Sequence, residues 1–293
     1  TLRLFKADLL EHGSFAKAMK GCEIVFHTAS PFNTTTIKDP QTELVDPALE
    51  GTRNVLIEAC ATNGVRRVVL TSSVAAMYGD AADMAKLPNG TLTEDHWNTT
   101  SSLTHQAYSY SKTVAERAAW TIVEAQPHLE LVVINPSLVI GPSLGPNPTS
   151  ESFRIVSAFG DGRAKMGAPR MGFGVVDVRD LAQAHLAAAF IPTAKGRHIV
   201  QGHTTDMYEL SVPLREKFGA THPLPKMASP KWMFWLVGPL MANISREFIS
   251  LNCNWPLRFD NSKSKRELGV TYRPLEVTIN DMFGQMVERG YFK

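Results

Sequence analysis

Apolar residues recur along this chain in two rhythms: short runs that alternate or are uninterrupted, and longer stretches that repeat near every 3.6 residues. The short runs predict strands over residues 2–8, 23–29, 66–72, 131–135, 173–178 and 197–201. The longer ones predict helices. Ser14 caps a short helix stopped at Gly21, residues 42–63 form a long helix stopped by Gly64, and another spans 104–125. Further helices follow over 150–160, in DLAQAHLAAAF, through most of 206–255, from a Ser262 cap to Gly269, and over 275–289. The run RRVVLTS has no polar face, the mark of a strand buried on both sides.

Strands alternating with helices at these lengths predict an α/β fold with a doubly wound parallel sheet. Gly and Pro crowd residues 141–174, so loops are expected there around one helix. Later segments return to the sheet. The expected division is therefore residues 1–140 with 173–203 as a dinucleotide-binding type of domain, and 141–172 with 204–293 as a smaller, discontinuous, mainly helical cap.

Composition narrows the function classes. A 44% hydrophobic content supports an ordinary core, and a net charge of +2 with only short basic doublets, Arg66-Arg67 and Lys265-Arg266, argues against a nucleic-acid partner. The longest apolar run, 232–244, is interrupted by Gly238 and Pro239 and is too short for a bilayer, so no membrane partner is expected. Cys22, Cys60 and Cys253 lack disulfide or metal spacing, which predicts buried thiols, no metal and a reducing, cytoplasmic setting. The expected assembly is a monomer or homodimer.

The candidate chemistry lies in Tyr108-Ser109-Tyr110-Ser111-Lys112. On a helix, positions four apart share a face about 6 Å apart along the axis, which brings Tyr108 beside Lys112. An ammonium within about 4–6 Å favours a phenolate, so the expectation is a phenol acidified by its neighbour and able to exchange a proton. The spacing alone is commonplace. Its context gives it weight: a Ser72-Ser73 pair ends the apolar run upstream, and Asn135-Pro136-Ser137 ends another downstream.

In open parallel sheets, ligands bind beyond the carboxyl ends of the strands. Asp8, Thr28-Ala29-Ser30, Ser72-Ser73 and Asn135-Pro136-Ser137 are expected along that edge. Asp8 reads equally as a strand-end cap or as an acceptor for an adenine amino group; His27 and Asn54 read as structural. A dinucleotide fold also needs a glycine-rich turn after its first strand. None is found, because Gly160, Gly162 and Gly167 come too late and follow no strand. Either no dinucleotide binds or the chain lacks its beginning, and a start in mid-pattern at Thr1 favours truncation.

The ordered set LFKADL, GCEIVFHTASP, EGTRNVLIEAC, RRVVLTSSVAAMYG, YSYSK, INPSLVIGP, VVDVRDLAQAH and FDNSKSKRELG spans nearly the whole chain. It resembles the extended short-chain dehydrogenase/reductase family, nearest its dihydroflavonol reductase, cinnamoyl-CoA reductase and aldehyde/ketone reductase branch. The resemblance implies a Rossmann-like fold lacking its first β-α-β unit, and reduction of a small-molecule carbonyl by NADPH in preference to NADH. It implies Tyr108 as general acid, Lys112 as its activator and ribose ligand, and Ser73 as donor to the carbonyl oxygen. Cofactor contacts would come from Asp8, Leu9, Thr28, Ala29, Ser30, Thr71, Ser72, Tyr108, Lys112, Pro136, Ser137 and Val139. Tyr78 stands where flavonoid reductases of the branch carry a substrate-binding asparagine, so a flavonoid is not expected, and Tyr78 becomes a substrate-side candidate beside Ser73. The apolar run at 232–241 reads equally as cap packing or as a substrate mouth. A nucleotide-sugar epimerase or dehydratase, a 3β-hydroxysteroid dehydrogenase and a non-catalytic dinucleotide sensor are the alternatives. The implied truncation would leave these residues alone inactive.

Overall fold

A computed structural model of the protein describes residues 1–29, 37–146, 148, 150–241 and 244–292. The described strands are β1 (Ile24–His27), β2 (Arg67–Thr71), β3 (Glu130–Pro136), β4 (Leu138–Ile140), β5 (Ala168–Pro169), β6 (Gly172–Asp177), β7 (Gly196–Val200), β8 (His203–Asp206) and β9 (Ala228–Ser229). The helices are α1 (Ala16–Met19), α2 (Asp46–Ala61), α3 (Ala107–Glu124), α4 (Glu151–Gly160), α5 (Val178–Phe190), α6 (Met207–Ser211), α7 (Leu214–Phe218), α8 (Lys231–Met241), α9 (Arg246–Asn252), α10 (Ser262–Leu268) and α11 (Leu275–Glu288).

The central sheet is parallel throughout, in the order β1-β2-β3-β7. Its two faces follow from the period of a strand. Val68 and Leu70 of β2, with Val133 of β3, pack against Val55, Leu56 and Ala59 of α2 and Ala119 of α3. Val69, Val132 and Ile134 point the other way, onto Leu181, Ala184 and Ala188 of α5. Helices on both faces explain why these strands carry almost no polar residues, as the sequence pattern predicts. The parallel register also aligns the carboxyl ends at His27, Thr71, Pro136 and Val200 on one edge.

A second sheet, β4-β6-β8, carries the other core, where Ile140, Phe153, Val156, Leu210, Leu214, Ile279 and Phe283 pack together. β5 and β9 add a two-residue ladder. β6 lies in this smaller sheet, whereas α5 and β7, which follow it, return to the central one.

Arg67, half of a short basic doublet, is almost wholly buried. Its guanidinium donates to the carbonyls of Ala188, Ala189, Ile191 and Pro192 and to Glu130. A cation at a helix C-terminus satisfies carbonyls that lack intrahelical partners, and here it fastens α5 to β2.

Several expectations fail. Residues 2–8 form no strand: Leu2 and Leu4 are 86% and 89% exposed, and the segment pairs with nothing among the described residues. Alternation makes a strand only where a ladder partner exists. Ser14 does not cap α1, since its hydroxyl donates to the Asp8 carbonyl and accepts from the Asp8 N–H. Ser262 is the first residue of α10 rather than its cap, which is Asn261, and Gly269 ends that helix in the left-handed region as expected. α3 begins at Ala107, not Thr104, because Ser102 and His105 form a tight bridge and Gln106 adopts a left-handed backbone (φ 56°). The thiols are free, but only Cys253 is fully buried.

Candidate active site

The carboxyl edge of the central sheet gathers the three residues that the sequence singles out. Ser73 follows β2 in an extended conformation, and its Oγ accepts from the Ala75 N–H at 3.1 Å, capping a 3-10 turn (Val74–Ala76). That turn packs on α3, whose first turn carries Tyr108, and the Ser73 hydroxyl lies near enough to the Tyr108 phenol to act on its ionisation. One turn further along α3, the Lys112 Nζ lies 5.7 Å from the centroid of the Tyr108 ring. Ser72 faces away, its hydroxyl donating to the buried Glu116 carboxylate at 2.5 Å.

The electrostatics correct the expected acid. Burial pushes the Tyr108 phenol up to about 12, with the nearby Ser73 hydroxyl pulling the other way. Lys112 is buried too and falls to about 8, held up in part by Glu116. The ammonium sits over the ring, and desolvation of the phenolate dominates its ionisation. The site therefore holds a neutral phenol beside a weakened ammonium. His27, at the end of β1, is buried and pushed down to about 4, first by desolvation and then by Lys112, so it is neutral, in keeping with a structural histidine.

The remaining candidates divide. Thr28 and Ala29 are exposed beyond β1 on the same edge; Ser30 lies outside the described residues. Pro136 ends β3, and Ser137 is buried with an unpartnered Oγ. Val139 lies in β4, partly buried against the α5 side of the sheet. Thr71 Oγ1 lies 2.7 Å from His185 Nε2, and the Ser72 hydroxyl donates to Glu116. Asp8 is not at a strand end; its carboxylate accepts from the Leu10 N–H in an exposed turn. Leu9 rests on α2, its carbonyl accepting from Asn54 Nδ2 at 2.8 Å.

Beside the serine turn opens a cavity of about 220 Å³ lined by Val74, Ala75, Tyr78, Gln106, Met171, Phe173, Phe248 and Asn252, among others. Tyr78 meets Phe259 edge-on at 5.8 Å, and burial, with Asp80 adding to it, pushes its phenol up to about 12. Asp80 is buried and accepts from Gln106 Nε2 (2.9 Å) and Asn252 Nδ2 (2.7 Å), with His105 Nε2 at 2.6 Å. The polar end of the cavity is thereby tied to the start of α3 and the end of α9. The 232–241 run forms α8, packed on α9, with an apolar outer face and a separate groove of about 830 Å³. No helix among the described residues is long and apolar enough to cross a membrane, and no His, Cys, Asp and Glu cluster there could hold a metal.

This edge fits a nicotinamide nucleotide. Lys112 donates no hydrogen bond to a described residue and Ser137 Oγ has no partner, while ribose hydroxyls and a carboxamide supply the complementary groups. A doubly wound sheet with a hydroxyl, a phenol and an ammonium at its carboxyl edge defines a dinucleotide-dependent class of protein.

Comparison with known proteins gives the family. Residues 1–202 match the NAD dependent epimerase/dehydratase family. A cinnamoyl-CoA reductase of Medicago truncatula is 34% identical over 99% of this chain and 81% of its own length. Tetraketide alpha-pyrone reductase 1 of Arabidopsis thaliana is 33% identical, again over 99% and 81%. The yeast methylglyoxal/isovaleraldehyde reductase, solved with NADPH, superposes with a TM-score of 0.76 at 28% identity, covering 96% of this chain and 82% of that one. The chain belongs to the NAD dependent epimerase/dehydratase family, which includes the extended short-chain dehydrogenases/reductases.

Proposed function

We propose that the protein is an NADPH-dependent reductase converting an aldehyde or ketone to an alcohol, with Ser73, Tyr108 and Lys112 as its catalytic residues. The meeting of the Ser73 hydroxyl, the Tyr108 phenol and the Lys112 ammonium, 5.7 Å from the centroid of the phenol ring, carries this reading.

Reduced nicotinamide supplies the hydride. The chain's own residues supply the rest. Ser73 Oγ already accepts from the Ala75 N–H, which leaves its O–H to donate to the substrate oxygen. The Tyr108 phenol, kept protonated by burial, gives its proton to the same oxygen as negative charge develops there. The Lys112 ammonium offsets the charge left on the phenol, and Lys112 with Ser137 holds the cofactor's nicotinamide end. The yeast reductase, solved with NADPH, supports NADPH rather than NADH as the cofactor here.

The substrate sits in the 220 Å³ cavity, between the central sheet and a cap made of residues 141–172 and 204–293. Its apolar walls suit a small aromatic or branched carbonyl. The test is consumption of NADPH by the full-length protein over a panel of aldehydes, ketones and acyl-CoA thioesters. Turnover of a small carbonyl supports the reading. Nicotinamide retained through a sugar-nucleotide epimerisation with no net oxidation would replace it with the epimerase function, and cofactor binding with no turnover of any kind would leave a sensor.

A further inference from the structure

The carboxylate most closely joined to the catalytic elements is that of Glu116, which the sequence alone did not single out. Glu116 lies on α3 one turn beyond Lys112, and its side chain is 0% exposed. One oxygen, Oε1, takes Arg197 Nε at 2.6 Å and Trp120 Nε1 at 3.4 Å. The other, Oε2, takes Ser72 Oγ at 2.5 Å and Asn135 Nδ2 at 2.8 Å. The same Asn135 amide donates to the Ser73 carbonyl at 3.1 Å. The end of β2, the end of β3, β7 and the catalytic helix therefore meet on one side chain.

A buried carboxylate is costly to keep unless every lone pair is used and a cation answers it. Here the cation is itself fixed. Arg197 donates to the Glu94 and His96 carbonyls at 2.9 and 2.5 Å and lies 3.9 Å from the centroid of the Trp97 ring. A pin of this kind holds the backbone at Ser72-Ser73 against α3, and so sets how far the Ser73 hydroxyl stands from the Tyr108 phenol.

We propose that Glu116 is a positioning residue for the proposed reduction: it locks the serine turn to the catalytic helix through Ser72 and Asn135, and sets a carboxylate one helical turn from the Lys112 ammonium. The inference rests on the reading of Ser73, Tyr108 and Lys112 as the catalytic set. The groups facing Lys112 are Glu116 and Tyr108 from its own helix and the neutral His27 from β1; Arg197 from β7 faces Glu116 and tempers its charge.

Glu116→Gln in the full-length enzyme tests it with two readouts. The Gln side chain keeps the shape and removes the charge. The Lys112 ionisation is followed by carbon NMR of labelled lysine, its signal assigned with Lys112→Arg. In the wild type the midpoint falls near 8. In the variant it falls lower by about one pH unit, and the alkaline limb of the kcat profile moves down with it. kcat drops about tenfold at neutral pH while KM for NADPH changes little. An unmoved lysine midpoint, or kcat within twofold of wild type, overturns the proposal. The NMR titration needs no turnover, so it still reports if Tyr108 proves not to be the acid.

Should the Gln variant not fold, Asn135→Ala carries the test. It cuts the link to the Ser73 carbonyl and leaves the Arg197 pair intact, so kcat falls about tenfold with the lysine midpoint unmoved. Wild-type kcat in that variant would sink the pin.

Discussion

Asp80 ties the serine loop, the start of α3 and the cap helix α9 together, and Asp80→Asn isolates what its charge does. The amide keeps an oxygen for Gln106 and Asn252 and turns its nitrogen to the His105 imidazole, so three contacts survive and their ionic character is lost. Charge-assisted hydrogen bonds contribute about 1.5–3 kcal/mol against about 0.5–1.5 for neutral ones, so three of them lose roughly 3 kcal/mol. The loss depends on pH. The Asp80 hydrogen bond raises the His105 ionisation above the usual imidazole value. A group whose folded value is raised contributes its stability in full below its unfolded value, and that contribution vanishes as pH climbs through the folded one. Urea unfolding of both proteins at about pH 5.5 and about pH 9 should show the wider gap at the acidic end, narrowing towards the alkaline end. Equal gaps at both pH values, or a gap below about 0.5 kcal/mol at the acidic one, would refute the reasoning.

Three further outcomes are expected. Arg67→Met strips the carbonyls at the end of α5 of their buried donor and lowers unfolding stability by about 3–5 kcal/mol in urea; a loss below about 1 would mean that water replaces the guanidinium. Gly160→Ala places a methyl inside the Phe292 ring, which stacks on Phe283 at 4.8 Å, so the C-terminal turn is displaced and stability falls by about 1–3 kcal/mol, visible as earlier thermal unfolding. Tyr78→Ala opens the 220 Å³ cavity, and kcat/KM for bulky aryl ketones rises relative to that for small aldehydes by about tenfold; an unchanged ratio would place the substrate elsewhere.

Much of this was legible in the chain. β2 and β3 declare themselves because both faces are buried, and α2, α5 and α11 because one apolar stripe meets a core. Residues 2–8 carry an equally good alternation, but pairing is a property of neighbours and no pattern within the segment supplies it. β4, β8 and β9 are too short for a period to register. Within the site, Ser73, Tyr108 and Lys112 are visible through a helical spacing and a strand-end serine pair, whereas Asp80, Gln106 and Asn252 meet only through the tertiary fold. Glu116 did leave a trace, as an acid four positions after Lys112 between Ala115 and Ala119, on the face that a charge normally avoids. The acidified phenol fails because helical spacing shows Lys112 beside Tyr108 but not its burial, and desolvation dominates the phenol's ionisation.

The central claim is that the Tyr108 hydroxyl hands its proton to the substrate oxygen. The direct measurement is kcat of Tyr108→Phe in the full-length protein, with NADPH and the best carbonyl substrate, alongside its circular dichroism. A loss of about 10²–10⁴-fold with the fold unchanged is the predicted result, and a phenylalanine enzyme within tenfold of wild type contradicts the account.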